Sequence, residues 1–246
     1  MQQHNTSFHL TYDKYDGVTI DAVRCADAIT FESELTRLLQ RLENKKLLWV
    51  KLPIEQSAFI PVLTKHGFTY HHCNAADLTL VRKLVQNPEI PTAKNHTLGV
   101  GAVVTDGDKL LVIKDRIWQK YKLPGGYIDD RENISQALAR EVREETGIAV
   151  VFESIVSLGH FTPGQFNESN LYVVCRAKPL SREINIIDSG EIIEACWMEI
   201  EHYLNHEEVV PYNKKIVRSA LESGGLKMDD TKDLITRKDV DYELFC

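Results

Sequence analysis

GYIDDRENISQALAREVREETGI, residues 126–148, decides how the second half of the chain is read. Its helical part runs from Ile134 to Thr146. Asn133 is a favoured N-cap, and Gln136 three residues on imitates a capping box. Gly147 supplies the C-terminal stop. Ile134, Leu138 and Val142 recur at every fourth position and form an apolar stripe for a core. Glu141, Glu144 and Glu145 lie three and four residues apart, which gathers three carboxylates on another side of the same helix. Like charges at that spacing destabilise an isolated helix, so something must offset them. A hard divalent cation held through oxygen does so. Arg140 and Arg143 offer the plainer alternative, a solvated face laced by salt bridges.

The full spacing is more particular than a run of glutamates. Gly126, Glu132, Arg140, Glu141, Val142, Glu144, Glu145, Gly147 and Ile148 match G-x5-E-x7-R-E-U-x-E-E-x-G-U, where U is aliphatic, at every fixed position. This is a Nudix box, and the chain resembles the Nudix hydrolases. The resemblance implies that Glu141 and Glu145 are metal ligands and that Glu144 is a ligand or the catalytic base. It implies Mg²⁺ or Mn²⁺ as cofactor. It assigns Glu132, Arg140 and Gly147 to holding loop and helix together.

Bulk properties narrow the class. A chain of 246 residues holds one large domain or two small ones. No apolar run approaches membrane-spanning length, and the first residues lack the basic-then-apolar pattern of a secretory signal. Five widely spaced cysteines suggest reduced thiols and a cytoplasmic location. A net charge of −7 argues against non-specific nucleic-acid binding, and suits a phosphate substrate only if metal ions supply local positive charge.

Residues 1–85 read as a separate unit, followed by a linker over 86–96, where Pro88 and Pro91 break regular structure. Strands are expected at FHLTY and VTIDAV, at LLWVKL, and at FTYHH and DLTLV. Thr30 is read as the cap of a helix ending near Arg41, and Glu55 to His66 as a second helix. A mixed sheet with two helices follows. On a regular strand His71 and Cys73 face one side and His72 the other, so a zinc site is not supported. The segment resembles the small, truncated acetyltransferase-like domain that precedes the Nudix domain in one branch of the family. Plant ADP-ribose and NADH pyrophosphatases and the animal Nudix protein encoded antisense to a fibroblast growth factor belong to that branch. The fold class expected is therefore α+β: a small mixed α/β domain, then a Nudix α/β/α sandwich over 97–225 and a C-terminal extension over 226–246.

Within the second unit, LGVGAVV and KLLVIK form a hairpin around TDGD. Gly99 and Gly101 imitate a dinucleotide fingerprint, but the third glycine is missing and the run is a strand, so they are read as places of close backbone approach. Pro124, Gly125 and Gly126 make a tight entry to the box, where backbone N–H groups face a phosphate. VVFESIVSLGHF and NLYVVCRA are strands, NKKIVRSALES is a helix, and the last twenty or so residues show little periodicity. Pro163 stands fifteen residues beyond Ile148, near a spacing that accompanies ADP-ribose hydrolysis in the family. Phe161, Phe166 and Tyr121 are candidates to stack on adenine, with packing as the plainer role of each. By resemblance Glu191 starts an acidic loop that returns to the metal site, as a further ligand or the general base.

The expected activity is metal-dependent hydrolysis of a diphosphate bridge, in ADP-ribose or NADH, releasing AMP. The alternatives are other nucleotides (oxidised nucleoside triphosphates, dinucleoside polyphosphates, RNA caps) and a regulatory protein that binds a nucleotide with little turnover. The relatives also suggest a homodimer.

Overall fold

The structure is a computed structural model that describes residues 7–14, 16–42, 44–163, 168–229 and 241–246. The chain divides into two compact units, Met1–Asn95 and His96–Cys246.

The first unit is built on strands β1 (Phe8–Tyr12), β2 (Gly17–Val23), β3 (Leu47–Pro53), β4 (Thr69–Cys73) and β5 (Asp77–Lys83). Their order is β1-β2-β3-β5-β4, with β2 and β3 parallel and the other neighbours antiparallel. Helices α1 (Ala28–Arg41) and α2 (Ile60–Lys65) join one core with Phe31, Leu35, Leu48, Val50 and Leu63. Three expectations change. The α1 cap is Asp27, whose carboxylate accepts the Thr30 amide at 2.7 Å, so the helix starts before Thr30. The segment after β3 is a 3₁₀ turn over Ile54–Phe59 before α2, with Pro61 in the first turn of the helix. The strand alternation at His71 fails, because the β4–β5 register shifts between Tyr70 and His72. His71 and His72 then meet, Nδ1 to Nδ1, at 2.7 Å.

The second unit carries β6 (His96–Asp106), β7 (Lys109–Asp115), β8 (Tyr121–Lys122), β9 (Gly125–Tyr127), β10 (Val150–Phe161), β11 (Ser169–Pro179) and β12 (Ile192–Glu199). The main order is β10-β11-β6-β7-β12; β8 pairs with β7 and β9 with β6. Helix α3 (Ile134–Thr146) covers one face. Leu138 and Val142 are buried there against Val100, Ala102, Val104 and Val173, each burial worth roughly 2 kcal/mol. On the other face α4 (Ile200–Asn205) and α5 (Pro211–Glu222) bring Tyr203, Leu204, Ile216 and Val217 onto Val103, Leu110 and Val112. The result is the expected α/β/α sandwich.

Short strands β13 (Met228–Asp229) and β14 (Leu244–Phe245) pair with each other. Residues 241–245 serve the start of α3: Asn133 Nδ2 donates to Asp241 at 3.0 Å, and the Ser135 amide meets Glu243 at 3.3 Å. Two carboxylates at a helix N-terminus complement its dipole. The C-terminal residues thus have a structural partner that their composition did not suggest.

Candidate active site

Helix α3 is fixed at both ends by local chemistry. The Asn133 amide donates to Gln136 Oε1 at 3.1 Å, and Gly147 takes the left-handed conformation at φ 77°. Ahead of the helix, Arg140 forks onto Glu132, Nε to Oε1 at 2.9 Å and Nη2 to Oε2 at 2.8 Å. The same Nη2 donates to the Tyr127 carbonyl at 2.9 Å, which ties the glycine-led loop to the helix. Arg140 holds the Glu132 carboxyl below its ordinary range, and Glu132 in return raises the guanidinium pKa.

The three box glutamates do not have equal surroundings. Glu141 accepts Arg140 Nη1 at 2.8 Å and is half-buried; Glu144 accepts the same nitrogen at 3.2 Å, with 47% of its side chain exposed. Glu145 is 4% exposed and, among the described residues, accepts one bond, from the Gly125 amide at 2.7 Å. Burial pushes the Glu145 carboxyl up to about 8, against the Gly125 bond and the charge of Lys122; Glu141 and Glu191 push it further up. Burial also raises Glu141, and Glu144 and Glu191 add to the rise.

The turn at Gly125 and Gly126 lets these carboxylates approach the sheet. Gly125 has φ 146°, and a side chain there would strike the Val100 carbonyl. A Cβ at Gly126 would stand 2.6 Å from both Glu141 oxygens. The Gly125 amide is occupied by Glu145, which corrects the idea that it is free for a phosphate.

Glu191 comes from a loop tied on two sides. Arg116 donates to the carbonyls of Gly190 at 3.1 Å and Ser189 at 2.9 Å, and the Arg116 amide to that of Glu191 at 2.9 Å. The Ile187 and Asp188 amides bond the Glu144 carbonyl at 3.0 and 2.8 Å. Lys122 stands 3.8 Å from Glu191 and 3.3 Å from the buried Asp115, whose other oxygen holds the Trp118 amide at 2.6 Å.

A cavity of about 880 Å³ opens over this set. Gly125, Gly126, Glu141, Glu191 and Phe161 line it, as do Lys122, Trp118, Asn170, Tyr172, Tyr212 and Asn213, which the sequence did not single out. The lysine in KLPGGY and the aromatic at the start of α5 carried no motif signal. Phe161 meets Tyr212 edge-on at 5.4 Å between ring centres. Tyr121 is not on the cavity wall. Its hydroxyl bonds Glu194 at 3.1 Å and its ring meets His206, so the adenine-stacking idea is corrected for this residue. Pro163 is exposed in the bend that follows β10 and is also not a lining residue. Phe166 lies outside the described residues.

Residues 95–220 match the NUDIX domain model, and residues 8–84 match a second model described as the Nudix hydrolase domain. The chain belongs to the Nudix hydrolases. Human nucleoside diphosphate-linked moiety X motif 6 is 33% identical over 223 residues, covering 85% of this chain and 70% of that protein. Nudix hydrolase 2 of Arabidopsis thaliana is 34% identical over 212 residues, 81% of this chain and 75% of that protein. Nudix hydrolase 8 of the same plant is 34% identical over 203 residues, 78% of this chain but 55% of that protein. The chain is thus a Nudix pyrophosphatase with the N-terminal domain of its branch, and the family generally depends on a divalent cation.

The residues present fit such a cation. Among the described residues no three His, Cys, Asp or Glu side chains are gathered as a ligand group, and Glu141 and Glu144 both bond Arg140. Yet Glu145 is an acid buried with one donor, and Glu141 and Glu191 face it electrostatically. An all-oxygen carboxylate set of this kind suits a hard divalent ion.

Proposed function

We propose that this Nudix hydrolase cleaves the diphosphate bridge of ADP-ribose or NADH and releases AMP, using Mg²⁺ or Mn²⁺. The observation that carries the reading is one cavity lined by Glu141, Glu191 and the Gly125–Gly126 turn together with Phe161 and Tyr212. A volume of about 880 Å³ accommodates a ligand of dinucleotide size. The choice of ADP-ribose or NADH rests on the resemblance of the two-domain branch.

Glu141 and Glu145 would hold the ion; Glu144, which Arg140 holds here, would be a further ligand. When bound, the ion neutralises phosphoryl charge and makes water more acidic. Lys122 adds a positive charge on the cavity wall. Glu191 is our candidate for the base: its carboxylate takes a proton from water as the water oxygen bonds one phosphorus and the bridging P–O bond breaks. Glu144 is less suited, because it is not on the cavity wall and Arg140 holds it. ADP-ribose would give AMP and ribose 5-phosphate; NADH would give AMP and reduced nicotinamide mononucleotide. Phe161 and Tyr212, which meet edge-on, offer the adenine aromatic contacts in the cavity.

The test is AMP release from ADP-ribose, NADH, NAD⁺, diadenosine polyphosphates and nucleoside triphosphates, with Mg²⁺, Mn²⁺ or chelator. Metal-dependent release concentrated on ADP-ribose or NADH supports the proposal. Release concentrated on another member would replace the substrate, and tight binding with no turnover would replace the activity with a regulatory role.

A further inference from the structure

Gly99 and Gly101 sit two apart on β6, and the parallel register sets Tyr172 beside Gly99 and Val174 beside Gly101. A Cβ added at Gly99 would lie 2.6 Å from Tyr172 Cδ2. One at Gly101 would lie 2.7 Å from the Tyr172 hydroxyl, and one at Gly125 2.9 Å from the same oxygen. Three glycines from two strands therefore leave a slot shaped to one phenol. Glycine in a strand interior weakens the strand, so the pair on β6 signals a close approach. A tyrosine that only packed would not need its oxygen to end at the turn whose amide holds Glu145. Tyr172 lines the cavity with Glu141 and Glu191, and the charges of Glu145 and Glu141 bear on its hydroxyl. Among the described residues, no group hydrogen-bonds that hydroxyl.

We propose that the Tyr172 hydroxyl donates a hydrogen bond to a non-bridging oxygen of the substrate diphosphate, and that Gly99, Gly101 and Gly125 are the slot that admits it. A phenol holds its proton at neutral pH and donates it well to an anionic oxygen. No covalent bond forms or breaks at the tyrosine; it neutralises charge and fixes the diphosphate against the carboxylates. The inference rests on the proposed site of cleavage, and not on which nucleotide is cleaved.

The experiment compares Y172F with the parent on whichever panel nucleotide the parent hydrolyses fastest, at saturating Mg²⁺. Calorimetric binding of methylene-bridged ADP is measured beside it. Phenylalanine fills the same slot, so melting should stay close to the parent. We expect kcat/KM to fall roughly 10- to 100-fold and the analogue to bind roughly 10-fold more weakly. If Y172F loses its fold, Gly101→Ala sets a methyl group against the hydroxyl from the other side and should lower both quantities. Unchanged kcat/KM in Y172F overturns the proposal. So does a loss confined to Mg²⁺ below saturation, which would place the hydroxyl on Glu145 and not on substrate. Should the parent hydrolyse nothing in the panel, the proposed function fails, and the analogue still decides the tyrosine: equal affinities overturn its role and weaker binding by Y172F upholds it.

Discussion

Ahead of α3, Glu132 accepts three hydrogen bonds, two from Arg140 and one from the Asp129 amide at 3.1 Å. Near the other end, Glu145 is more deeply buried and, among the described residues, accepts one, from Gly125. The two carboxylates belong to one loop-helix unit and move in opposite directions: Arg140 draws the pKa of Glu132 down, and burial drives that of Glu145 up to about 8. A carboxylate whose charge the protein answers is a fastener. One left with its desolvation unanswered is held ready for a charge from outside, which is how ligand sites separate from structural ion pairs.

The largest effect should come from Glu145→Gln. Turnover should fall on the order of 10³-fold, because a neutral amide cannot serve as a carboxylate ligand. The same variant should make the metal-free protein more stable at neutral pH, since it removes an acid that is costly to ionise in place. Steady-state rates and melting with chelator check both halves. Retained turnover, or a metal-free variant less stable than the parent, would break the contrast with Glu132.

Glu132→Gln should act the other way and less strongly on chemistry. It loses the charge under the Arg140 fork, and a loss of about 2 kcal/mol in stability is expected for a mostly buried charged pair. Denaturant unfolding reads the loss. A variant as stable as the parent would mean that the fork orders nothing.

The fastener was easier to read than the site. Asn133, Gln136 and Gly147 mark both ends of α3, so its bounds followed from local chemistry. The salt-bridged face and the metal-ligand face looked like rival accounts, yet Arg140 does hold Glu141 and Glu144 while Glu145 turns inward beneath Gly125. Chain spacing cannot show that, because burial depends on what packs over each position. Tyr172 was hidden for a similar reason. It reaches Gly99 through parallel pairing of β11 with β6, across more than 60 residues of chain, and nothing local announces that register. Asp27 displaced Thr30 because both are good caps, and Ala28 and Ile29 carry too little pattern to place the first turn. At His71 a shift against β5 overrode alternation, and only the partner strand fixes it.

The effect that is smallest per pH unit is the one with the sharpest sign. In the metal-free protein, Glu145 holds a proton up to a pH near 8, while in the unfolded chain a glutamate releases it near pH 4.3. Between those values the folded state binds more protons than the unfolded state, so stability must fall as pH rises. The slope from this group is at most about 1.4 kcal/mol per pH unit. Glu132 works oppositely: its lowered pKa contributes stability present above the unfolded value and lost as pH falls through the folded one. Over pH 6 to 8 Glu132 is therefore silent and Glu145 is not. Unfolding free energies with chelator at pH 6, 7 and 8 should decline in the parent and in Glu132→Gln, and decline much less in Glu145→Gln. Saturating Mg²⁺ should flatten or reverse the parent's slope, since a cation and a proton compete for the same carboxylate. Parallel slopes in the parent and Glu145→Gln would show that the acid beneath Gly125 already finds its charge answered within the protein.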